Sequence, residues 1–145
     1  MNNKLFQQNS VQQSVVRWQA ANRMVLAAIS KAESMNVKVN VAVVDTAGVL
    51  VSFLRMSGAP LHSIDIAIDK AYTSVSFGVS TSKWKDLLAQ NSSAVQVGIV
   101  NQPRFIGFGG GEPIFENDQL IGAIGVSGAS ESEDEAIAKH GLKNL

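Results

Sequence analysis

The spacing of apolar residues changes several times along the chain, and each change marks an element. Over residues 10–35, Val11, Val15, Trp18, Val25, Ala28, Ile29 and Ala32 keep a helical period, and Gln12, Gln13, Arg17 and Lys31 fill the other face. Ser10 stands where an N-cap belongs, so the spacing predicts a helix over 10–35. The period then drops to two. Val37, Val39, Val41 and Val43 alternate with Lys38, Asn40, Ala42 and Val44, a strand pattern. Asp45-Thr46-Ala47-Gly48 is turn chemistry, and a second strand over 49–55 completes a hairpin.

Pro60 suits the first turn of a following helix over 61–77, whose apolar face is Ile64, Ala67, Ile68, Ala71, Tyr72 and Val75. Gly78 ends it. Ser80 or Thr81 caps a shorter helix with Trp84, Leu87 and Leu88. Residues 91–101 read mostly as loop, with a short apolar piece at 97–100. Residues 105–108 read as a short strand. Residues 113–115 and 119–126 flank Glu116-Asn117-Asp118 as a second hairpin. Ser130 with Glu133, or Ser132 with Glu135, forms a capping box that opens a last helix ending near Gly141. The order is helix, two strands, two helices, three strands, helix. Tight turns between neighbouring strands imply antiparallel pairing, with helices covering the sheet.

The chain has 145 residues, and no repeat, linker or low-complexity tract divides it, so residues 1–145 read as a single domain. A formal net charge of zero offers no basic surface and argues against a nucleic-acid partner. Hydrophobic residues make up 46% and charged ones only 17%. A homo-oligomer that buries part of its surface fits both values, since little charge is left to oppose association. The absence of cysteine excludes disulfides, thiolate metal sites and thiol nucleophiles. No segment has membrane-span length, and the first eight residues lack a signal-peptide apolar run, so the expected compartment is the cytoplasm.

Candidate chemistry gathers around glycine. Gly107, Gly109, Gly110, Gly111, Gly122, Gly125 and Gly128 are seven of the 12 glycines. Three in a row expose bare amides that can cradle an anion or let a flat ligand approach. The plainer reading is a hairpin beside a strand packed tightly on a helix. No Gly-Lys-Ser/Thr follows the run, and it precedes a strand, so neither a nucleotide P-loop nor a dinucleotide fingerprint is present. Arg55 and Lys70 are cations suited to a ligand carboxylate beside Gly109, Gly110 and Gly111. Lys70 stands at the margin of an apolar face, where the plainer reading is a side chain snorkelling to water. Arg104 is a third cation of interest.

His62 and His140 are the only histidines, and their spacing forms no two-histidine metal motif. His62, after the Gly58-Ala59-Pro60 turn, is the better candidate for a haem or metal ligand. An exposed polar helix residue is the plainer reading for each. Glu131, Glu133, Asp134 and Glu135 could lend two carboxylates to a metal, but capping and the helix dipole account for them without one. Asp45 reads as a turn former, and Ser127 as a strand end, because Gly125-Val126-Ser127-Gly128 lacks a full nucleophile elbow.

Five segments in order resemble the GlcG/HbpS-like, haem-degrading or haem-binding family. They are Val43-Val44-Asp45-Thr46-Ala47-Gly48, Arg55-Met56-Ser57-Gly58-Ala59, Lys70-Ala71-Tyr72-Thr73, Gly109-Gly110-Gly111-Glu112-Pro113-Ile114 and Ile121-Gly122-Ala123-Ile124-Gly125-Val126-Ser127-Gly128. The family includes the C-terminal domain of PduO-type proteins. The resemblance implies an α+β, profilin-like three-layer α/β/α fold with a five-stranded antiparallel sheet. It also implies self-association as dimers or octamers. It points to a small-ligand-binding protein whose ligand is haem or a related tetrapyrrole. The alternatives are an accessory enzyme acting on a small oxygenated metabolite, in a glycolate- or diol-utilisation setting, or a non-catalytic assembly partner. The secreted haem-binding branch carries acidic iron-binding motifs near its N-terminus, and residues 1–30 here contain no Asp or Glu. No axial ligand transfers by motif, because neither histidine lies in a signature segment. Fold is constrained far more than activity.

Overall fold

The computed structural model describes residues 8–145. The reading of the first seven residues lies outside the described part. Four strands, β1 (Asn40–Asp45), β2 (Leu50–Arg55), β3 (Gly111–Glu116) and β4 (Gln119–Ser127), form one antiparallel sheet in the order β2-β1-β4-β3. Both hairpins stand where turn chemistry places them. The Asp45 carboxylate accepts from the Ala47 and Val49 amides at 2.8 and 3.1 Å, and Gly48 takes φ +77°. Asn117 and Asp118 take the paired positive φ of a two-residue hairpin turn.

Alternation along β1 and β4 sends side chains to two different helical layers. Val41, Val43, Ile124 and Val126 join Met24, Val25 and Ala28 of α1 (Trp18–Ser34) and Ile137 and Ala138 of α5 (Glu131–Leu142) in the main core. Val44 and Ala123 face Ala71 and Val75 of α2 (His62–Phe77) on the other side. Burying an Ile or Met contributes roughly 1.5–3 kcal/mol, so the first layer carries more of the stability. The second layer is thin because α2 sits almost on the strand backbone. A methyl group on Gly125 would collide with the Ala67 carbonyl oxygen, and one on Gly111 would lie 2.5 Å from the Lys70 carbonyl oxygen.

The structure corrects three expectations. Among the described residues the sheet has four strands, because residues 105–108 form no ladder. They pack on α2 instead. Ile106 N–H donates to the Thr73 hydroxyl, which donates to the Arg104 carbonyl, both at 3.0 Å. The Phe105 ring meets Trp84 and Phe77 edge to face. Apolar residues in this stretch therefore report packing against helices, not strand pairing.

The second correction concerns α1, which starts at Trp18 and not at residue 10. Val11 and Val15 continue the helical period but stay exposed, whereas Val16 is buried and its amide donates to the Ile121 carbonyl at 2.9 Å. The third is a helix within 91–101. After the short 3₁₀ turn Thr81–Lys83 and α3 (Trp84–Ala89), Ser92 caps α4 (Ser93–Ile99) through the Val95 amide. No residue of α4 is buried, so no apolar face announces it. Two expectations hold closely: Gly78 closes α2 at φ +67°, and Ser130 and Glu133 form a complete capping box on α5.

Candidate functional site

The Lys70 side chain does not snorkel. It is fully buried, and its ammonium donates to the Val126 carbonyl at 2.9 Å and to Asp134 Oδ2 at 3.1 Å. Asp134 is buried as well, and its Oδ1 accepts from the Ala129 amide. The Phe108 ring lies 5.0 Å from the ammonium, within cation–π range. Burial pushes the Lys70 pKa down, opposed by the Asp134 charge and hydrogen bond, and pushes the Asp134 pKa up, opposed by Lys70. Both directions have one cause: the interior disfavours either charge, and the pairing restores only part of it.

The triple glycine surrounds this pair. Gly110 takes φ +124°, and a Cβ there would lie 2.7 Å from the Lys70 ammonium. Two of the three amides expected to face a ligand already have protein partners. Gly109 N–H donates to Glu131 Oε1 at 2.8 Å, and Gly111 N–H donates to the Thr81 hydroxyl at 2.9 Å. The segment packs and bonds within the protein, and side chains of the same chain take the two outer amides of the run.

The acidic run is likewise occupied member by member. Glu131 accepts from Gly109, Glu133 completes the cap, Asp134 holds Lys70, and Glu135 pairs with Lys139 at 2.6 Å. Among the described residues no three His, Asp or Glu side chains converge on a metal position.

Sequence reasoning missed Glu112 beside the glycines. It is buried, its Oε2 accepts from the Ser80 hydroxyl at 2.5 Å, and its Oε1 has no hydrogen-bond partner among the described residues. Burial raises its pKa above the ordinary glutamate value, with Ser80, Lys139 and Lys83 pulling the other way. The Gly-Glu-Pro order gave no sign of this, because β3 registers Glu112 against Ile124, an apolar position.

His62 and Arg55 lie elsewhere, around the turn that leads into α2. His62 is the first residue of α2, exposed, and makes no side-chain hydrogen bond among the described residues. Leu61, Ile64 and Asp65 share a shallow open depression with it, and Leu61 is 77% exposed. The Arg55 guanidinium, also exposed, donates to the Ala59 carbonyl at 2.8 Å, just upstream. The structure thus separates the expected ligand residues into two groups, Lys70 with the glycines inside the fold and His62 with Arg55 at its surface. His140 is half-buried on α5 and joins neither.

A family profile described as haem degrading protein HbpS-like matches residues 16–143. The chain belongs to the HbpS-like family. An uncharacterized 15.0 kDa protein from the dhaT-dhaS intergenic region of Citrobacter freundii is 35% identical over 133 residues, covering 92% of this chain and 94% of that protein. The crystal structure of Klebsiella pneumoniae protein ORFY superimposes with a TM-score of 0.87 at 34% identity, over 94% of each chain. That of a PduOC–haem complex superimposes with a TM-score of 0.83 at 27% identity, over 90% of this chain and 95% of the other. In this structure the five sequence segments form two turns, the stretch with the buried lysine, and the two glycine-bearing strands on which α2 rests. No helix among the described residues is long and apolar enough to cross a membrane.

Proposed function

We propose that this chain is a small-ligand-binding protein that takes haem or a related tetrapyrrole, as a cytoplasmic homo-oligomer. The observation that carries the reading is His62. It is an exposed imidazole with no side-chain hydrogen bond among the described residues, beside exposed Leu61 and half-buried Ile64 in a shallow depression at the start of α2. A neutral imidazole nitrogen is a suitable axial donor to haem iron. Leu61 and Ile64 offer the apolar contact that a porphyrin face needs. Arg55, against the Ala59 carbonyl before the same helix, is the cation assigned to a propionate.

The residues fit one face of a haem. The depression is open on its other side, and a second copy of the chain is the natural cover, which joins the ligand reading to self-association. The likeness to a PduOC–haem complex supports the same ligand class. In this reading Lys70 and Gly109–Gly111 hold the interior of the fold and make no contact with the ligand.

The test is reconstitution with hemin followed by desalting and native mass spectrometry. Retention of one haem per chain, in an oligomer, is the expected result. A protein that emerges haem-free after saturation contradicts the reading.

A further inference from the structure

A separate cavity of about 220 Å³ lies between α2 and the irregular segment that follows α4. Arg104 lines it, and three features set this residue apart. Its φ is +68°, and among the described residues it is the one left-handed position outside Gly, Asn and Asp. Such a conformation costs on the order of 1 kcal/mol and persists where the surroundings impose it, often at binding sites. Buried Thr73 imposes it here, by donating to the Arg104 carbonyl and accepting from Ile106 N–H. The guanidinium stacks on the Tyr72 ring at 3.6 Å, and its Nε donates to Asp69 Oδ1 at 2.9 Å. Its Nη groups make no hydrogen bond to the protein among the described residues. The side chain is therefore held on two sides, with its outer edge left over.

That edge is the donor pair that matches a carboxylate bidentately. The rest of the wall is mixed. Phe77, Phe105 and Ile99 are apolar, and Ser76 and Gln102 supply a hydroxyl and an amide. The volume falls below the ~300 Å³ typical of drug-sized ligands, so the occupant is small. Asp69 already pairs with the single positive charge of Arg104, so the site has no charge surplus for a polyanion and the match is to one carboxylate held by hydrogen bonds. We propose that this cavity binds a small monocarboxylate with an apolar body, its carboxylate on the Arg104 Nη edge and its body against Phe77 and Phe105. The site is distinct from the His62 depression and does not rest on the haem reading.

The test is a benzoate titration followed by two-dimensional amide NMR, with benzamide as the uncharged isostere. Saturable shifts confined to residues 72–77 and 99–106 are expected, with benzamide at least about tenfold weaker, the scale of a charge-assisted pair. Arg104→Gln should weaken benzoate by a similar factor. Ser76→Leu, at an exposed helix position that leaves Arg104 in place, should close the cavity and abolish binding even if the Arg104 variant folds poorly. Equal affinity for benzoate and benzamide, no saturable shift up to about 20 mM, weaker than any useful metabolite affinity, or unchanged binding in both variants overturns the proposal. Loss of hemin binding in Arg104→Gln would merge the two sites and overturn their separateness.

Discussion

Lys70 Nζ and Asp134 Oδ2 meet at 3.1 Å with both side chains almost fully shielded, tying α2 on one face of the sheet to α5 on the other. Their link passes the mouth of the β3–β4 ladder, where Val126 N–H donates to the Gly110 carbonyl and the Val126 carbonyl accepts from Lys70. One side chain thus touches both layers and the glycine loop.

Removing one partner strands the other charge in the interior. Lys70→Met is expected to destabilise the fold by about 3–5 kcal/mol, and Lys70→Met with Asp134→Leu by much less than the sum of the single changes. Urea denaturation of the two singles and the double checks this. Additive losses would mean that the two side chains act independently.

Glu112 gives a pH signature. Its folded pKa is raised by burial, so the folded state holds this proton more tightly than the unfolded chain. The stability this adds is fully present below the ordinary glutamate pKa and is lost as pH rises through the higher folded value. Glu112→Gln, which mimics the protonated group, should flatten that part of the stability–pH curve and be the more stable form, relative to wild type, at neutral pH. An identical slope in both proteins would show that Glu112 ionises as freely folded as unfolded.

Two glycines make opposite predictions. At Gly125 a methyl group would strike the Ala67 carbonyl and the Ala71 amide of α2, while at Gly98 it would meet nothing within 4 Å. Gly125→Ala should destabilise by at least about 1–3 kcal/mol through overpacking. Gly98→Ala, in the exposed helix α4, should stabilise by roughly 0.5–1 kcal/mol. Thermal melts of the pair decide, and equal effects would mean that α2 does not rest on the β4 backbone.

Local chemistry was legible where it acts locally. Asp45, Gly48, Gly78 and the Ser130–Glu133 box satisfy their own backbone, so sequence spacing reveals them. The choice of Val16 over Val15 as the buried residue is made by Ile121, more than a hundred residues away. The apolar stretch over 105–108 looked like a strand because packing on Thr73 and Trp84 imposes similar residues without a ladder. Lys70 looked amphipathic because its partner Asp134 lies on another layer, in a run whose capping role hides its other tasks. The glycines left a cradle and a packed hairpin both open, because Thr81 and Glu131, which accept from the Gly111 and Gly109 amides, are remote in sequence.

The proposed haem site is tested most directly by a hemin titration followed in the Soret band, comparing wild type with His62→Ala and His140→Ala. Wild type and His140→Ala should give the same saturable, red-shifted band at about one haem per chain, while His62→Ala should lose the shift and bind at least about tenfold more weakly. An unshifted band in wild type, or one kept unchanged in His62→Ala, would contradict the account.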